Sequence, residues 1–100
     1  MLSTKILMIN NLETRQIIIS GRVQGVGFRN WVKKNCTNLS LFGNVRNTVD
    51  MKVEIIITGD KVYLDKFCDK CQSGPTLAEV ESVNIKAINL KEFSSFKIIY

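Results

Sequence analysis

No histidine occurs anywhere in the 100 residues. That removes the side chain most often used as a general base near neutral pH, and the commonest metal ligand. Hydrolases built on a Ser–His or Cys–His pair are therefore excluded. Proline occurs once, at Pro75, and no segment is repetitive or of low complexity. No run reaches the roughly 20 apolar residues that a membrane-spanning helix needs. The apolar patch Ile6-Leu7-Met8-Ile9 is shorter than a signal-peptide core of about 7–15 residues, and no small-residue cleavage site follows it. A cytoplasmic location with no membrane partner is expected.

Cysteine is scarce and odd in number, at Cys36, Cys68 and Cys71. An odd count in a short chain without a secretion signal argues against a disulfide scaffold. Cys68-Asp69-Lys70-Cys71 lacks two further ligands for zinc. It also falls at the end of an expected helix, whereas a redox motif opens one. Buried, reduced cysteines are the expectation. No cluster of Asp and Glu suggests magnesium, so neither a metal nor an organic cofactor is expected.

The apolar fraction is 45%, enough for one domain with a modest core. Fourteen Lys and Arg against nine Asp and Glu leave a net charge of +5, which favours anionic ligands. The most informative stretch is Gly21-Arg22-Val23-Gln24-Gly25-Val26-Gly27-Phe28-Arg29. Three glycines in seven residues allow a tight loop whose N–H groups turn toward one point. An apolar strand-like run precedes it and helical spacing follows it. The helix N-terminus adds free N–H groups and partial positive charge. Arg29 adds a full charge and a planar fork of donors. This is an oxyanion cradle, with phosphate as the natural guest among the N–H groups of Gln24, Gly25, Val26, Gly27 and Phe28.

Residues 1–12 are read as an extension of unknown structure, and residues 13–100 as the domain. Strand one is expected over residues 14–20 and helix one over 28–39, with Phe28, Trp31, Val32, Cys36 and Leu39 on one stripe. Strands at 41–47 and 52–58 form a hairpin across a turn at 48–51, with Val53, Ile55 and Ile57 sharing a face. Asp60 caps helix two. That helix places Leu64, Phe67, Cys68 and Cys71 on one face and stops at Ser73-Gly74-Pro75. Strand four follows at 78–88 and a short fifth at 95–100.

The order β-α-β-β-α-β plus a final β is the split-βαβ, ferredoxin-like arrangement, an α+β fold with both helices on one face of an antiparallel sheet. Ile18 and Ile56 then point to the helix-free face. Strands one and two run parallel with strand three between them. Both exit on the same edge, which brings Asn47 near the cradle and Arg29.

The first motif resembles the signature of the acylphosphatase family. The resemblance continues in Gly43-Asn44-Val45-Arg46-Asn47-Thr48, in Val53-Glu54 and in Gly74-Pro75, Ala78, Val80 and Val83. It covers about residues 14–100. It implies a ferredoxin-like enzyme that hydrolyses acyl phosphates to carboxylate and phosphate. Arg29 would hold the phosphoryl group and Asn47 would position the attacking water. A small-molecule acyl phosphate is the implied substrate, and inorganic phosphate or sulfate the expected site ligand.

The chemistry suits a chain without histidine. The leaving carboxylate has a pKa of about 4 and departs unprotonated. A loose phosphoryl transition state asks little of its nucleophile. Asn47 can accept from a water and donate to a phosphoryl oxygen. Thr48 is expected to support Asn47 by a hydrogen bond. Arg22 and Gln24 are expected to matter through their backbones more than their side chains. Family members often carry an aromatic residue where this chain has Asn44, and Asp-Gly where it has Asp50-Met51. The first departure bears on the pocket wall, the second on the turn beside Asn47.

Two other readings use the same fold. One is a basic RNA-binding module. Its ribonucleoprotein pattern is absent, and the candidate central strands at 15–20 and 52–58 carry no aromatic residue. No nucleic-acid partner is expected. The other is a regulatory domain like those that open larger carbamoyl-transfer proteins of hydrogenase maturation. Zinc-finger and nucleotide motifs are missing, and a free-standing monomeric enzyme is the simpler expectation.

Overall fold

The computed structural model describes residues 11–100. The expected extension at residues 1–12 therefore lies almost wholly outside the described residues. The chain runs β1 (Leu12–Arg22), α1 (Phe28–Asn38), β2 (Phe42–Asn47), β3 (Val53–Asp60), α2 (Lys61–Cys71), β4 (Glu79–Ile88) and β5 (Phe96–Ile99). One five-stranded sheet has the order β4-β1-β3-β2-β5. β3 is antiparallel to both β1 and β2. β1 and β2 therefore run parallel with one strand between them, as expected. β5 adds to the outer edge of β2 in parallel.

Alternation along the strands decides which face is covered. Ile17, Ile19, Val45, Val53, Ile55 and Ile57 have no exposed surface. They form one core with Phe28, Val32 and Cys36 of α1 and Leu64, Phe67, Cys68 and Cys71 of α2. Trp31 is half-buried and bridges the helices, with its ring 5.4 Å from Phe28 and 6.0 Å from Phe67. Ile18 and Ile56 have the opposite parity and are half-buried on the helix-free face.

Both helix starts follow the sequence signals. Asp60 accepts from Val62 N at 2.9 Å, as a helix N-cap does. Gly27 precedes α1 in the left-handed region. β1 is longer than its isoleucine run suggested, since the residues flanking that run at both ends also pair. Leu12 lies opposite Asp60 of β3, and Arg22 opposite Glu79 of β4.

Candidate active site

The loop at residues 23–27 carries the chain from β1 into α1. Val23 and Phe28 anchor its two ends in the core, 1% and 2% exposed. Gly25 and Gly27 hold φ of 73° and 78°, a region that side chains disfavour. No atom lies within 4 Å of where a Cβ would sit on either residue. Backbone conformation, not crowding, therefore selects glycine at both positions. Gly27 offers α1 no side-chain cap, and the first turn holds no acidic residue. The N–H groups of that turn have no intrahelical partner and carry the positive end of the helix dipole. Gly21, which the motif grouped with these glycines, belongs to the sheet. It lies inside β1, where the register against β4 shifts between Ser20 and Gly21.

Arg29 stands on the first turn of α1, and Asn47 is the last residue of β2. Both line one cleft of about 90 Å³, together with Gly25, Gly27, Phe28 and Tyr100. That is well below the ~300–1,000 Å³ of a drug-sized pocket and suits a compact anion. The Arg29 guanidinium carbon lies 4.8 Å from the centre of the Tyr100 ring. Of the other loop residues proposed from sequence, Val26 packs its side chain against the core. Gln24 turns toward the hairpin.

The Gln24 side chain, expected to matter less than its backbone, donates from Nε2 to Thr48 O and to Lys52 O, both at 2.9 Å. Thr48 serves the turn rather than bonding Asn47. Its hydroxyl donates to the Asp50 carboxylate and accepts from Lys52 N at 3.0 Å. The Thr48 hydroxyl holds the Asp50 carboxyl below its usual range. Met51 takes φ 69°, so the turn keeps the left-handed residue that Asp-Gly would supply. Asn44 does not reach the Arg29 cleft. It lines a separate depression with Phe93, Ser95 and Lys97.

A larger cavity of about 680 Å³ opens at the other end of the sheet, between Leu12, Phe42, Tyr63, Leu90 and Phe93. None of the proposed site residues reaches it. The three cysteines are free and buried. Burial pushes all three thiols up from their ordinary range, so they stay protonated at neutral pH. For Cys68 this outweighs the opposing pull of Arg15, whose Nη1 lies 3.7 Å from Sγ. Among the described residues no helix is long and apolar enough to cross a membrane.

Two contributors escaped the sequence. Tyr100 lies outside every motif, and only the parallel pairing of β5 on β2 carries it toward Arg29. The Gln24 side chain left a faint trace, a two-proton amide between the apolar Val23 and Val26.

Fold and cleft together define a small ferredoxin-like domain with a compact cleft, lined by two left-handed glycines, Arg29 and Asn47, at one end of its sheet. A sequence model described as Acylphosphatase matches residues 15–98. An acylphosphatase of Archaeoglobus fulgidus is 39% identical over 85 residues, covering 85% of this chain and 96% of its own length. The structure of an acylphosphatase from Coxiella burnetii superposes with a TM-score of 0.89 at 30% identity, over 92% of this chain and 97% of that one. That of Bacillus subtilis acylphosphatase gives 0.85 at 33% identity, over 89% and 99%. This chain belongs to the acylphosphatase family.

Proposed function

We propose that the Arg29 cleft carries the acylphosphatase reaction of this chain, hydrolysis of the carboxyl–phosphate bond of a small-molecule acyl phosphate. One juxtaposition supports the assignment. Arg29, the two left-handed glycines and Asn47 line the same small cleft, although they come from two separate segments. In this reading the N–H groups of residues 24–28 and the Arg29 fork hold the phosphoryl oxygens. Inorganic phosphate or sulfate is the simple ligand of that cradle. Asn47 accepts from the attacking water through Oδ1 and donates to a phosphoryl oxygen through Nδ2.

The water oxygen bonds to phosphorus as the bond to the acyl oxygen breaks. The electron pair leaves with the carboxylate. A dianionic substrate yields one carboxylate and one dihydrogen phosphate, with both water protons staying on the phosphate. No side chain has to take or give a proton. Arg29 and Asn47 act only as hydrogen-bond donors and acceptors in this scheme, so the lack of histidine costs nothing. Catalysis is then positioning plus stabilisation of charge on the equatorial oxygens.

Release of phosphate from an aryl acyl phosphate tests the assignment. Arg29→Ala is expected to lose about 10³-fold or more in kcat. Asn47→Ala is expected to lose about 10²-fold or more. An Arg29→Ala variant as active as the unmodified protein would sink the assignment.

A further inference from the structure

The two halves of the cleft come from different parts of the chain, and one side chain ties them together. Gln24 sits in the loop that forms the cradle. Its amide carries two protons, and both are spent on the hairpin beyond Asn47. One goes to Thr48 O, the carbonyl of the residue after Asn47, at 2.9 Å. The other goes to Lys52 O at 2.9 Å. Lys52 O also accepts from Thr48 N at 2.9 Å, closing the turn. Among the described residues, no other hydrogen bond joins residues 21–30 to residues 44–54. The Asn47 side chain has no hydrogen-bond partner among the described residues and borders the cleft.

We propose that Gln24 is a positioning residue that fixes the Asn47 amide, and the water it holds, relative to the phosphate cradle. This rests on the reading of Asn47 given above. The residue type fits the task. A hydroxyl has one proton and cannot donate to two carbonyls. A glutamate of the same shape has no proton to donate and would face two carbonyl oxygens. An asparagine is one methylene short. The reacting atoms must stand about 3–3.5 Å apart, and a shift of about 1 Å can cost about 10²-fold. Gln24 contributes no side chain to the cleft lining, so its loss should leave phosphate binding intact.

The test compares Gln24→Ala and Gln24→Glu in two backgrounds, unmodified and Asn47→Ala. The readouts are kcat on an aryl acyl phosphate and inhibition by inorganic phosphate. In the unmodified background, kcat is expected to fall about 10- to 100-fold for both variants, because Glu keeps the shape and loses the donors. The phosphate inhibition constant should move by less than about twofold, since a positioning loss spares ground-state binding. In the Asn47→Ala background the second change should cost less than about twofold, because linked residues are not additive. Equal fold-losses in the two backgrounds would overturn the proposal, as would weakened phosphate binding with kcat unchanged. Asn47→Ala alone, if fully active, would instead remove the water-positioning reading. If Gln24→Ala fails to fold, Gln24→Glu and Gln24→Met supply the same comparison.

Discussion

The ring of Tyr100 stacks 4.8 Å from the Arg29 guanidinium carbon while Tyr100 itself is 91% exposed. At an exposed site such a contact contributes about 0.5–1 kcal/mol. If Arg29 holds the phosphoryl group as proposed, the contact steadies the fork that the substrate meets, and its loss should be felt mainly in binding. Tyr100→Ala is expected to raise KM by about two- to fivefold, with kcat little changed and Tyr100→Phe close to the unmodified protein. Steady-state kinetics on an aryl acyl phosphate checks this. A kcat loss as large as that of Arg29→Ala would give Tyr100 a part in the chemical step. That Arg29 and Asn47 share one cleft was legible in the sequence because strand order brings the ends of β1 and β2 together. Tyr100 was not, because its place depends on a parallel strand pairing, Gly43 opposite Phe96 and Arg46 opposite Ile99. Nothing local in the sequence encodes that pairing.

The turn between β2 and β3 carries a local conflict. Met51 stands at φ 69°, a conformation that costs a side-chain-bearing residue about 1–2 kcal/mol. The surrounding bonds impose it. Thr48 N donates to Lys52 O, Met51 N donates to Thr48 O at 3.3 Å, and Gln24 ties both carbonyls from outside. Met51→Gly should therefore stabilise the protein by about 1 kcal/mol, less the entropy glycine adds to the unfolded chain. The urea midpoint should rise while kcat stays within about twofold, since Met51 does not line the cleft. A lower midpoint would mean that Met51 makes a contact worth more than its strain. The Asp50-Met51 departure was visible in the sequence. Its consequence was not, because whether a turn bends or the residue strains depends on how firmly its flanks are held.

Element boundaries show the same division. The helix stripes and the β3 alternation were read correctly because each has one face buried in the core and one less buried. β1 runs past its isoleucines at both ends because β3 and β4 offer partners there. Ladder length is set between strands, whereas propensity is written along one. Gly21 was misplaced for a related reason. A glycine in a sheet irregularity and a glycine in an anion loop look alike until the partner strand is known.

Across the whole molecule, the buried thiols couple stability to alkaline pH. Burial is the main cause that raises Cys36 and Cys71 above their ordinary 9.0. Their native pKa values lie above the unfolded ones. The stability this confers is complete below pH 9 and lost as pH climbs above it, because only the unfolded chain then releases the protons. The slope is up to about 1.4 kcal/mol per pH unit for each thiol. Urea unfolding between pH 7 and 10.5 should show a shallower decline in a Cys36→Ala/Cys71→Ala variant, despite its lower stability at pH 7. Parallel curves would show that the thiols play no part. The sequence placed these cysteines in the core through their helical spacing. How far burial moves their titration follows only from the packing of α1 against α2.

The order β1-β3-β2 also works as a gauge. The cradle leaves β1 and the asparagine ends β2, so the span between them is two strand spacings, about 10 Å. That width is set by the length of peptide hydrogen bonds and by no side chain. Substitutions inside β3 can change how firmly the sheet holds together, but not how wide the site is while the ladders persist. Side chains such as Gln24 then trim the last fraction of an ångström. Coarse dimensions come from the backbone, which mutation cannot edit, and fine alignment from residues that it can.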